Sequence, residues 1–256
     1  MIRLLLLILW LASGAAQASE GRVIWYPGQA GTGRFPVWEM EVPHAAASVI
    51  LLPGGNGGFG NIGENGPLGG NFLVRARNSF AQRNLNVLIM GKPRNLDLDD
   101  SIRLASWHGK DIESLAQDAK ARLGKPVWLV GTSSGTVSTI AAAITLEASV
   151  LDGIVLTSST VHPNLIGSPF HQSLDRIRLP VLMLHHQRDA CWACEPSMVA
   201  DVFKRLTQAP VKKMILVSGG ANPTGPFCEA FHWHGFVGME DEAAGLIADW
   251  IKAPSN

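Results

Sequence analysis

The residues Gly131-Thr132-Ser133-Ser134-Gly135 fit the pattern G-x-S-x-G, in which a serine at the tip of a sharp turn can act as a nucleophile. The pattern alone is weak, and its context decides. An apolar run at 127–130 leads into it and a run of small residues at 137–144 leaves it, so the motif joins a strand to a helix. The glycines leave room for the turn, and the helix start places partial positive charge where an oxyanion would develop. Only Ser133 holds the central position, so Ser134 is expected to offer its backbone N–H instead. The competing reading is a glycine-flanked turn with an idle serine.

A serine hydroxyl needs a base, and the base needs an orienting carboxylate. For a nucleophile on such a turn the order along the chain is serine, acid, histidine. Asp189 lies just past the apolar run 181–184. His234 lies in the last loop beside Gly235, ahead of the final helical pattern; His232, two residues back, is the alternative base. A second oxyanion donor is expected from the glycine-rich loop 53–60, where Gly55 and Asn56 are the candidates and the sequence does not choose between their amides. A phosphate cradle there is disfavoured, because no Gly-Lys-Ser/Thr follows.

Other residues invite other chemistry. His185, His186, His232, His234 and Asp189 are ligand types for zinc, yet no H-E-x-x-H or similar short pair occurs, so no metal and no cofactor are expected. Cys191-Trp192-Ala193-Cys194 is a C-x-x-C that follows the acid late in the chain, which argues against thioredoxin-like redox catalysis. Trp38, Phe59, Trp107, Trp192 and Trp233 are candidates for an apolar pocket wall, though buried aromatics are more often plain core.

The elements that must position these groups read as strands at 22–26, 37–42, 48–52, 86–90, 127–130, 153–156, 181–184 and 214–217. The first two resemble an edge hairpin, and the short apolar runs suit parallel strands buried on both faces. Helical patterns occupy 72–82, 110–122, 136–145, 196–206 and 239–251. This alternation predicts an α/β fold: a mostly parallel, doubly wound sheet with helices on both faces and its site at the carboxyl edge.

The whole chain bounds the answer. Its 256 residues, 46% hydrophobic and 16% charged, suit one globular domain over 19–256. Twenty-one basic residues balance 21 acidic ones, so no net field favours nucleic acid or an anionic membrane. Arg3, an apolar run at 4–12 and Ala16-Gln17-Ala18 read as a signal peptide over 1–18, and the mature protein is expected in the periplasm or secreted. That apolar run is short of the ~20 residues needed to span a bilayer, and no integral membrane segment is expected after cleavage. Three cysteines in an exported chain permit one disulfide and one free thiol.

The motifs together resemble those of the α/β-hydrolase superfamily, across nearly all of the mature sequence. The matching residues are Pro53-Gly54-Gly55-Asn56-Gly57-Gly58, Gly131-Thr132-Ser133-Ser134-Gly135, His185-His186-Gln187-Arg188-Asp189-Ala190-Cys191 and His234-Gly235-Phe236. The chain looks most like exported bacterial members with a cysteine two residues past the acid and another shortly before the histidine. The resemblance implies a Ser133–Asp189–His234 triad and a Cys191–Cys228 disulfide tying the acid loop to the base loop. A Cys194–Cys228 bridge would do nearly the same. It also implies hydrolysis of a small-molecule ester or acyl substrate through an acyl-enzyme, with a serine peptidase, a thioesterase or a non-catalytic binding protein as alternatives on the same fold. Only 157–179 separate two strands where many family esterases insert a helical cap, so the cap is expected to be minimal or absent.

Overall fold

The computed structural model describes residues 20–93, 96–146 and 148–256. The expected signal peptide at 1–18 lies outside the described residues. Eight strands form the central sheet: β1 (Arg22–Pro27), β2 (Arg34–Met40), β3 (Ala47–Leu52), β4 (Leu85–Met90), β5 (Val127–Thr132), β6 (Gly153–Thr157), β7 (Val181–His186) and β8 (Lys212–Val217). Their order across the sheet is β1-β2-β4-β3-β5-β6-β7-β8. β2 runs antiparallel to both its neighbours, and every other pairing is parallel.

Strands β3 to β7 are buried along their whole length, as continuous apolar runs require when both faces are covered. Alternate side chains feed two separate cores. Val49, Leu51, Val87 and Ile89 pack with α1 (Phe72–Arg75), α2 (Arg77–Ala81) and α7 (Glu240–Lys252). Ile50, Leu52, Leu88 and Met90 pack on the other face with α4 (Ser106–Leu123), α5 (Gly135–Thr145) and α6 (Pro196–Lys204). The expected doubly wound α/β architecture is therefore present.

Two local differences from the sequence expectation matter. The pattern at 72–82 folds as two short helices, because Ala76 takes φ −82°, ψ 2° and ends the first. A further helix, α3 (Asp100–Arg103), was not foreseen; the Asp99 carboxylate accepts the Ile102 N–H at 2.9 Å and starts it. Between β6 and β7 the chain forms only two single-turn 3-10 helices, Pro169–His171 and Leu174–Arg176, so the cap is minimal. No helix among the described residues is long and apolar enough to cross a membrane.

Candidate active site

Ser133, Asp189 and His234 gather at the carboxyl ends of β5, β6 and β7. β5 ends at Thr132 and α5 starts at Gly135, leaving two residues for the reversal. Ser133 makes the turn with φ +54°, a left-handed conformation unusual for a residue with a Cβ. Close approach forces glycine on either side. A Cβ on Gly131 would stand 2.3 Å from Thr139 Oγ1, and one on Gly135 would stand 1.9 Å from the Leu52 carbonyl oxygen. The turn is thus wedged between β3 and its own helix, and Ser133 is pushed up with partial solvent access. The N-terminus of the 11-residue α5 lies directly below it.

Asp189 follows β7 and is buried. Its Oδ2 accepts from His234 Nδ1 at 2.9 Å, and its Oδ1 accepts the Cys191 N–H at 3.0 Å. His234 sits in the 3-10 turn Trp233–Gly235 and is 4% exposed. His232 does not reach Asp189; its ring packs edge-on to Phe227 and Trp233, and its Nδ1 has no partner. Cys191 is joined to Cys228, which binds the acid loop to the loop carrying His234, while Cys194 is a free buried thiol. Burial pushes the Cys194 thiol well above its ordinary range, with Asp189 adding to the effect.

Ser133, His234, Gly55 and Ser134 share one cavity of about 540 Å³. Asn56, the other oxyanion candidate, lines a neighbouring groove, and its side-chain amide donates to Asp97 at 3.1 Å. Of the five aromatic candidates only Trp192 lines the cavity. Trp38 and Phe59 are buried in the core beside α1 and α7, Trp107 packs edge-on to His108, and Trp233 is stacked on His186 under the Arg188 guanidinium. Phe231 lines the cavity instead. Among the described residues, the lining includes Asp100 and Glu229 and neither lysine nor arginine.

Three residues that hold the site together were not anticipated. Ser158, just past β6, has φ +41°; its N–H donates to the Leu184 carbonyl at 3.1 Å and its hydroxyl to the His234 carbonyl at 2.8 Å. One residue before it, the Thr157 carbonyl accepts the Ser133 N–H at 3.0 Å. The end of β6 therefore ties the serine turn, the acid's strand and the histidine loop to one another. Arg75 reaches from α1 to the same loop, donating to the Ala230 and Gly235 carbonyls at 3.0 and 2.8 Å while paired with Glu240. Arg103 of α3 is buried and donates to the Pro53 and Gly55 carbonyls at 3.1 and 2.9 Å and to Ser138 Oγ of α5 at 3.0 Å. In a trans peptide the N–H points opposite to the carbonyl, so Arg103 turns the Gly54 and Asn56 amides away from itself. Sequence gives no sign of these roles: Arg75 meets its partners 155 and 160 residues away. Asp99, a residue type that starts helices, is the one local signal that could have marked α3.

No family model and no curated protein matches the chain. Solved structures do. An α/β serine hydrolase homologue from Coxiella burnetii superposes with a TM-score of 0.61 at 14% identity, covering 91% of this chain and 97% of the other. A dienelactone hydrolase from Anabaena variabilis gives 0.61 at 13% identity over 91% and 97%. A lidless α/β serine hydrolase from Xanthomonas campestris gives 0.57 at 14% identity over 90% and 95%. At such identities the likeness is one of fold.

Proposed function

We propose that this chain, which has the α/β-hydrolase fold, is a serine hydrolase that cleaves a carboxylic ester by two-step acyl transfer. The observation that carries the reading is the buried 2.9 Å contact between His234 Nδ1 and Asp189, on the wall of the cavity that receives Ser133 from its strained turn. With Nδ1 held by the carboxylate, Nε2 of His234 is the nitrogen left to take the Ser133 proton as Oγ attacks the carbonyl carbon. Asp189 fixes that tautomer and stabilises the imidazolium. Backbone N–H groups of Ser134 and of the 53–60 loop meet the oxyanion, assisted by the start of α5. The imidazolium returns its proton to the leaving alcohol, and water then releases the acid by the same route.

The carboxylates of Asp100 and Glu229, with no lysine or arginine among the described lining residues, favour neutral over anionic substrates. The minimal cap leaves the cavity open to small soluble esters. The disulfide suits an oxidising compartment, in keeping with export behind the 1–18 signal. The experiment is hydrolysis of p-nitrophenyl acetate and butyrate by the mature chain. Ser133→Ala is expected to lose at least about 10³-fold in kcat; a variant as active as wild type would refute the assignment.

A further inference from the structure

Cys194 takes no part in the chemistry above, yet its place is unusual. Its sulfur, the sulfur of Cys191 and a ring nitrogen of His234 all lie within 4.8 Å of one another, and all three residues are buried. Cys228 is bonded to Cys191 and is itself exposed, on the loop that follows β8. Two sulfurs and one imidazole therefore gather beside Ser133, and the third sulfur, that of Cys228, stands one bond beyond Cys191.

This set has the composition and spacing of a zinc site. Cys191 and Cys194 form a C-x-x-C, the pair spacing common in structural zinc sites, and Cys3His is a standard ligand set. Zinc–sulfur bonds of about 2.3 Å in a tetrahedron put ligand atoms roughly 3.8 Å apart, inside the observed span. Cys191 and Cys228 must separate and the Cys228 sulfur must swing onto Cys194 and His234, and the exposed Cys228 loop is the side that can yield. The imidazole is prepared as well. Its Nδ1 is bonded to Asp189, and a zinc-bound histidine whose second nitrogen donates to a carboxylate is the usual supporting arrangement.

We propose that reduction of the Cys191–Cys228 disulfide uncovers a zinc site formed by Cys191, Cys194, Cys228 and His234, and that zinc bound there switches the hydrolase off. A dithiol supplies two electrons and two protons: the Cys191–Cys228 bond breaks, two thiols form, and the dithiol leaves as a disulfide. Zn²⁺ then displaces the protons of three thiols and takes the lone pair of His234 Nε2. The base can no longer accept the Ser133 proton. The disulfide is thus the guard that keeps metal off the catalytic histidine. The inhibitory effect rests on the proposed role of His234; the metal site itself does not.

The test uses the full mature chain, oxidised or reduced with a phosphine under argon, and titrates it with Co²⁺. The reduced protein should bind one Co²⁺, with thiolate-to-cobalt charge-transfer absorption and the d–d bands of a tetrahedral ion; the oxidised protein should not. Reduced Cys194→Ser should lose these bands, and Asp189→Asn should bind about 10- to 100-fold more weakly. Labelling of Ser133 by a fluorophosphonate should stop when one equivalent of Zn²⁺ is added to the reduced chain. It should return with a chelator while the thiols stay reduced. Cobalt bound no better by reduced wild type than by reduced Cys194→Ser, or labelling indifferent to Zn²⁺, would overturn the proposal. If the oxidised protein never labels, the hydrolase reading fails while the cobalt spectra still judge the site. Should circular dichroism show that reduction unfolds the chain, Cys228→Ser carries the test. Cobalt bands there that vanish in Cys228→Ser/Cys194→Ser support the site, and equal spectra sink it.

Discussion

At the scale of single residues, the site depends on groups that never touch a substrate. Ser158 is the clearest case, because its one hydroxyl holds the backbone of His234 itself. Ser158→Ala removes that bond and leaves a buried carbonyl unpaired, a cost of about 1–3 kcal/mol. The histidine loop should then wander, and kcat for p-nitrophenyl acetate is expected to fall by roughly tenfold, with KM little changed. Equal kcat in the variant would show that the loop is fixed by Arg75 and the disulfide alone. The proposed nucleophile and acid were legible as candidates because their signals are local in sequence: Ser133 stands out through its glycines, and Asp189 through the strand before it. His234 was preferred to His232 only for its place beside Gly235 and the final helix; the pairing with Asp189 itself depends on which ring faces β7. Ser158 was invisible because its partner is 76 residues away.

At the scale of elements, burial on both faces made strands β3 to β7 readable as apolar runs, and their ends fell within two residues of the expected places. The four-residue α3 escaped because its turn is too short to show an apolar period. It carries Arg103, whose guanidinium bridges α5 and the 53–60 loop. Burial pushes that guanidinium down to about 10, so it remains charged at neutral pH. A cation at the carbonyl ends of two peptide units polarises their N–H ends, those of Gly54 and Asn56, and Gly54 lines the cavity with Ser133. Arg103→Met is therefore expected to lower kcat by about 10²-fold, the scale of losing one oxyanion donor, while KM moves by less than about threefold. Loss confined to KM would contradict this role. The same polar chain continues to His108 of α4, whose Nε2 lies 3.0 Å from Ser138 Oγ.

At the scale of the whole molecule, buried titratable groups predict how stability follows pH. Burial holds the His108 and His185 imidazoles down at about 4 from an ordinary 6.5, with Arg103 reinforcing the effect at His108. Both histidines fold neutral, so their contribution is complete above pH 6.5 and is lost as pH falls toward 4. Asp111 works the other way. Burial raises its carboxyl from 3.8 to about 6 despite the Gln29 N–H bond, so its contribution is lost as pH rises through 6. Between pH 4 and 6 the unfolded chain binds extra protons on His108 and His185, and on His186, which burial also lowers, against one that the folded chain holds on Asp111. The net difference of at least one proton makes stability climb by about 1.4 kcal/mol per pH unit or more. Urea midpoints measured from pH 4.5 to 7.5 should rise to a plateau near 6.5, and His108→Gln/His185→Gln should abolish the rise. A flat wild-type profile would mean that water reaches these histidines. Architecture at this scale was legible because alternating strands and helices allow few topologies. The meeting of Cys194 with His234, 40 residues later, was not, because it arises only once the loops after β7 and β8 are tied together. That Ser133 is a nucleophile activated by His234 and Asp189 is open to intact-mass and peptide mass spectrometry after fluorophosphonate treatment. One adduct per chain is expected on the peptide containing Ser133, slowed strongly in His234→Gln and Asp189→Asn. An unlabelled wild type, or an adduct that persists in Ser133→Ala, would contradict it.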